Sequence, residues 1–172
     1  MIETIRVLVP QIVTPTTVNA QIDILNGEYG SSVQHIPTGG VLNAWNIPLL
    51  DLPRPSIGYD IGWNADGVAQ LIRNGKNRMT LPVWFYVIAP TGLDKETALQ
   101  HLGITFEALM YVMDQFPPNG AEQKTVTGVS PVRVLTLLGD PTIRSFTVDA
   151  LAAGKVPGLA TKWDFTIDTA RS

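Results

Sequence analysis

The chain has 172 residues, with 12 Lys and Arg against 15 Asp and Glu, two histidines and no cysteine. A hydrophobic share of 45% with only 16% charged residues excludes wholesale disorder and a coiled coil, and the length fits a single domain over residues 1–172. A net charge of −3 gives no global drive to grip phosphates, and zero cysteine excludes disulfides, thiolate zinc sites and thiol nucleophiles. No basic, apolar leader opens the chain, and its uncharged runs are too short and too rich in proline to cross a membrane, so it reads as soluble and intracellular.

In chain order, Ile2, Ile5, Leu8, Val9, Ile12 and Val13 form a helical stripe interrupted by Pro10. Thr14-Pro15 then supplies an N-cap and a first-turn proline, and Val18, Ile22 and Leu25 carry a second helix to Gly27. From Gly30 to Pro55 the prolines and glycines predict an irregular connection. Val41, Leu42, Trp45 and Leu49 make it unusually apolar, so it either lids the core or meets another subunit.

Ile57, Tyr59, Ile61 and Trp63 alternate with polar or small residues as a half-buried strand, ended by a turn over Asn64 to Gly67. Val68 to Arg73 and Met79 to Ala89 read as a hairpin about Asn74-Gly75, with burial on both faces of the second strand and a bulge or unpaired edge at Pro82. Thr91 to Asp94 matches a capping box before one long amphipathic helix, 94–116, whose apolar stripe runs from Leu99 to Phe116. Its other positions, His101 included, read as a solvated face, and the helix is expected to cover the strand at Met79 to Ala89.

Strands follow near 124–129, 132–138 and 143–148, with Gly139-Asp140-Pro141 as the turn between the last two and a small-residue loop over 150–158. Trp163, Phe165 and Ile167 alternate with Lys162, Asp164, Thr166 and Asp168 in a closing strand, whose polar face points to a solvated edge or a subunit contact. Strands grouped around one long helix predict an α+β fold, with a largely antiparallel or mixed sheet of about four to six strands and short N-terminal helices.

Chemistry is hard to place on this pattern. His35 and His101 stand in no catalytic spacing, Pro37 to Gly40 lacks the lysine of a phosphate loop, and Asp60, Asn64 and Asp66 lack the closing acid of a calcium loop. No cofactor or metal is implied. Arg73, Lys76 and Arg78 concentrate positive charge around the hairpin turn, where they either guard the hairpin tip and strand edge or attract phosphate or an acidic partner. The residues expected to carry an assembly interface are Trp45, Leu42, Leu49, Arg73, Lys76 and Arg78.

The element order and texture resemble the tail terminator, or tail completion, proteins of tailed bacteriophages. The likeness runs through the N-terminal helix, the proline-rich crossing, Gly58-Tyr59-Asp60, the hairpin into Leu81 to Val87, the helix at Asp94 to Phe116 and the final Thr161 to Asp168. It implies a structural virion protein without catalytic residues, assembled in the host cytoplasm. Its subunits form a homo-oligomeric ring, commonly a hexamer, that caps the tail tube and joins it to the head–tail connector in the neck, with phage DNA passing the lumen unbound and no membrane partner. Another neck or tail component, a head-closure stopper or a tube subunit, is the alternative, and a small-ligand-binding or enzymatic α+β domain is a third. A histidine buried in a pocket beside a carboxylate would favour the third.

Overall fold

The computed structural model describes residues 8–43, 54–61, 72–73, 77–115, 123–124, 132–137, 143–150 and 154–169. A helical stretch over 8–12, α1, leads into α2 (Pro15–Tyr29). Thr14 caps α2 through a reciprocal box with Thr17, Pro15 enters the first turn, and Gly30 closes the helix in the left-handed region at φ 62°. Val18, Ile22 and Leu25 are its buried stripe, as the spacing predicts.

Among the described residues the strands are β1 (Val41–Asn43), β2 (Ser56–Ile61), β3 (Ile72–Arg73), β4 (Asn77–Ile88), β5 (Gln123–Lys124), β6 (Val132–Leu137), β7 (Ile143–Ala150) and β8 (Gly154–Thr169), with α3 (Lys95–Asp114) between β4 and β5. All eight join one mixed sheet ordered β1-β2-β4-β8-β6-β5, with β3 on β4 and β7 on β8. Five of them reach six residues or more, so the α+β fold and the expected strand number hold.

Two long strands organise this sheet. Along one edge of β4 lie β2, opposite residues 83–88, and β3, opposite 77–78. Along the outer edge of β8 lie β6, opposite 164–169, and β7, opposite 154–161. Thus β6 and β7 sit end to end on β8 and do not pair with each other; the turn expected over Gly139 to Pro141 lies outside the described residues. Pro82 lies between the stretches of β4 that pair with β2 and with β3. Ala89 N–H donates to Pro157 C=O at 3.3 Å, so odd residues of β4 face β8, and Pro82 turns its missing donor away from β8 at no cost to that ladder.

Other readings need correction. The capping residue of α3 is Asp94, which accepts from Thr97 N–H at 3.0 Å, three positions beyond the expected Thr91; Gly92, at φ 77°, belongs to the preceding turn. Arg73 pairs with Asn77, leaving three residues between the strands where Asn74-Gly75 alone predicts two. The expected loop over 150–158 is largely strand, since β7 reaches Ala150 and β8 begins at Gly154. A three-residue β1 stands inside the connection read as irregular, because parallel pairing with β2 supplies what its own sequence does not. Finally, β8 is the central strand and no edge, flanked by β4 throughout 158–169.

Val83, Phe85 and Val87 of β4, Trp163 and Phe165 of β8 and Ile57 of β2 are buried together on one sheet face. α3 covers that face over β4 and β8, and α2 packs against α3. Two neighbours give α3 a buried arc wider than one stripe. His101 is therefore buried, 5% exposed, and not on a solvated face, whereas Leu99 is 52% exposed. Burial lowers the His101 pKa below its ordinary 6.5. The depressed folded value means that the unfolded chain binds the proton first. Stability should be full above about pH 6.5 and fall as the pH drops through the folded value. Urea titrations between pH 7.5 and 5 should show this loss in the native chain and a smaller one in His101→Leu.

Candidate assembly surface

After Gly30 the chain turns back along α2 and is held there by two asparagines. Asn26 accepts from Val33 N–H at 2.9 Å and Ser31 Oγ at 2.8 Å, and donates to Val33 C=O at 3.1 Å. Asn19 repeats the pattern on Ile36, accepting from its N–H at 2.8 Å and donating to its C=O at 2.9 Å. Val33 and Ile36 are thereby pressed into the core. Pro37 to Gly40 then closes a turn, with Gly40 N–H on Pro37 C=O at 2.8 Å and Gly39 at φ 79°, and delivers the chain to β1. That loop is a turn, as its lack of a phosphate-binding lysine implies.

The sheet face away from the helices is aromatic and charged. Asp60, Trp84 and Lys162 share one row across β2, β4 and β8, with Arg144 of β7 5.0 Å above the Trp84 ring. Tyr86 meets Phe146 edge to face at 5.9 Å, and burial followed by the Asp60 carboxylate raises its pKa. Gly158 makes this contact possible: a Cβ there would stand 2.6 and 2.7 Å from two ring carbons of Phe146.

Charge divides between the layers. Residues 8–43 and 94–115 carry Asp23, Glu28, Asp94, Glu96, Glu107 and Asp114 against one cation, Lys95. On this acidic layer Tyr29 donates to both oxygens of Glu107, at 3.1 and 3.2 Å, which raises the Tyr29 pKa. Ile24, Tyr29, Leu99 and Tyr111 are its exposed large hydrophobic residues.

Among the described residues β7 forms the outer edge of the sheet beside the amino-terminal half of β8. Ile143, Arg144, Ser145 and Thr147 are exposed, Ile143 at 57%, and the strand contains neither the proline nor the lysine that commonly guards an edge. Since odd residues of β8 bond to β4, its even residues bond to β7, and Ile143, Ser145 and Thr147 present their N–H and C=O groups outward.

Of the residues expected at an interface, Leu42 lies in β1, half-buried and packed on the core. Arg73 and Arg78 are placed on β3 and β4, where Ile72 opposes Arg78. Trp45, Leu49 and Lys76 lie outside the described residues, as do the turn over Asn64 to Gly67 and Phe116. Sequence reasoning missed the β7 edge, whose signal was an eight-residue strand without proline or lysine.

His35 Nε2 meets Asp23 Oδ1 at 2.7 Å, with both side chains more than half exposed. His101 is buried, and among the described residues its Nδ1 has no partner. Neither is a buried imidazole beside a carboxylate. A cleft of about 350 Å³ between α1, α2 and α3 is lined by Gln11, Ile12, Thr17, Gln21, Val112 and Gln115, with no ionisable side chain. Among the described residues no cluster of His, Asp or Glu could hold a metal ion, and no helix is long and apolar enough to cross a membrane. No family model and no curated protein matches the chain.

Proposed function

We propose that this chain is the subunit of a tail terminator ring of a tailed bacteriophage, a structural virion protein that caps the tail tube and joins it to the head–tail connector. The observation that carries the reading is β7, which among the described residues forms an outer edge of the sheet with Ile143, Ser145 and Thr147 exposed, while helices close one face of that sheet. Such an edge is a template for another chain, and a subunit that works only in an assembly has a use for it. The element order from the N-terminal helices to the final strand supports the same class. The acidic helix layer suits a neck through which DNA must slide without being held.

Silencing this chain in a phage that encodes it should leave filled heads and tails unjoined, and adding the purified protein should restore infectious particles. Normal joining in its absence would refute the role. A stopper or tube subunit would show itself by blocking head closure or tail growth instead.

A further inference from the structure

We propose that the open seam between α2 and α3 is a docking groove for a basic amphipathic helix of another protein. The inference stands on the helix layer alone and holds whatever assembly the β7 edge builds.

The seam follows from how the two helices lie. Thr17 and Gln21 of α2 share the cleft with Val112 and Gln115 of α3, whereas Tyr29, at the far end of α2, bonds to Glu107. The helices are therefore antiparallel. Between residues 101 and 113 every position of α3 is buried except Gly103, Glu107, Met110 and Tyr111. Leu99, Gly103, Glu107, Tyr111 and Gln115 recur every four residues, so they form one uncovered row about 24 Å long. On α2 the facing row is Thr17, Gln21, Ile24 and Glu28, none of them buried.

The chemistry of the seam specifies its occupant. Ile24, Tyr29, Leu99 and Tyr111 are about half exposed, and a helix with apolar residues at every third or fourth position would cover them. Gly103 has open space where a side chain would stand, which lets another helix come close to α3 between Leu99 and Glu107. Charge decides which helix. Among the described residues the carboxylates of Glu28, Glu96 and Asp114 have no hydrogen bond or ion pair, and Lys95 is the one Lys or Arg of α2 and α3. Lysine or arginine beside the apolar face of the incoming helix gives these carboxylates partners, while the same carboxylates keep nucleic acid off the layer. At the cleft end, the amides of Gln11, Gln21 and Gln115 are also without hydrogen bonds among the described residues. They can serve the backbone groups that a helix leaves unpaired at its end.

The probe is a synthetic helix of about 18 residues, with leucines along one face and lysines elsewhere, and a twin in which glutamate replaces lysine. The wild-type protein should bind the lysine peptide saturably, one per chain and more weakly at high salt, and should not bind the twin. Leu99→Gln combined with Tyr111→Gln should keep the native circular dichroism, since both side chains are surface groups, and weaken that binding roughly tenfold or more. Ile143→Gln, which removes a comparably exposed side chain from β7, should leave it unchanged.

Equal binding of the two peptides, no saturable binding of either, or a Leu99→Gln and Tyr111→Gln variant that binds like wild type would overturn the groove. Loss of self-association in that variant, with peptide binding unchanged, would overturn it in favour of a second copy as the occupant. Ring formation is read separately, by sedimentation of the wild-type chain without peptide, so either proposal can fail without the other.

Discussion

Replacing Asn19 and Asn26 together by alanine is expected to be among the most damaging changes available outside the apolar core. Each amide serves both the N–H and the C=O of one residue in the segment after α2, Ile36 for Asn19 and Val33 for Asn26. A substitution leaves those backbone groups without partners beside buried Val33 and Ile36. Fully buried groups of this kind cost about 1–3 kcal/mol each, and these four are part-buried, so that water recovers some of the loss; the double variant should lose about 3–5 kcal/mol, or roughly 10 °C in melting temperature. Asn19→Asp keeps the acceptor for Ile36 N–H and loses the donor to its C=O, and should fall between wild type and Asn19→Ala. Thermal and urea unfolding of the four proteins would measure this, and a double-variant loss below about 1 kcal/mol would show that the segment is held by apolar burial alone.

The second large effect is expected at Gly158. A side chain there meets the Phe146 ring, which lies over the glycine from the neighbouring strand with Tyr86 against it. Gly158→Val forces the ring away or parts β7 from β8, and overpacking of this kind costs about 1–3 kcal/mol. The damage should be recovered in part by pairing Gly158→Ala with Phe146→Leu, which draws back the ring carbons concerned. Equal losses in Gly158→Ala with and without Phe146→Leu would place the cost in glycine's backbone freedom and remove the packing explanation.

Elements that carry their own signals were legible in the sequence. The cap and first-turn proline at Thr14-Pro15, the stripe Val18, Ile22 and Leu25, the long helix and the apolar run of β4 are local facts, and the structure places each of them. What escaped was set by neighbours. β1 exists only through β2, and the first residues of β8 read as a loop because Gly154, Pro157 and Gly158 look like breakers. In place, Gly158 is the site where a facing phenylalanine needs room. Asn19 and Asn26 looked like ordinary helix positions, since nothing local shows that the chain will return along them. His101 was placed in solvent by a one-stripe reading, but α3 has neighbours on two sides.

The expected interface was read from apolar and basic side chains at Leu42, Trp45, Leu49 and the Asn74-Gly75 hairpin. The β7 edge is a further candidate and a matter of backbone groups, which composition does not mark.

The central claim is that this chain closes on copies of itself. Sedimentation velocity of the purified wild-type protein over a wide concentration range, with electron images of the same fractions, tests it most directly. The account predicts one closed species of fixed subunit number, commonly six, seen as a ring with an open lumen. A monomer at every concentration, or a two-fold dimer that grows no further, would contradict it.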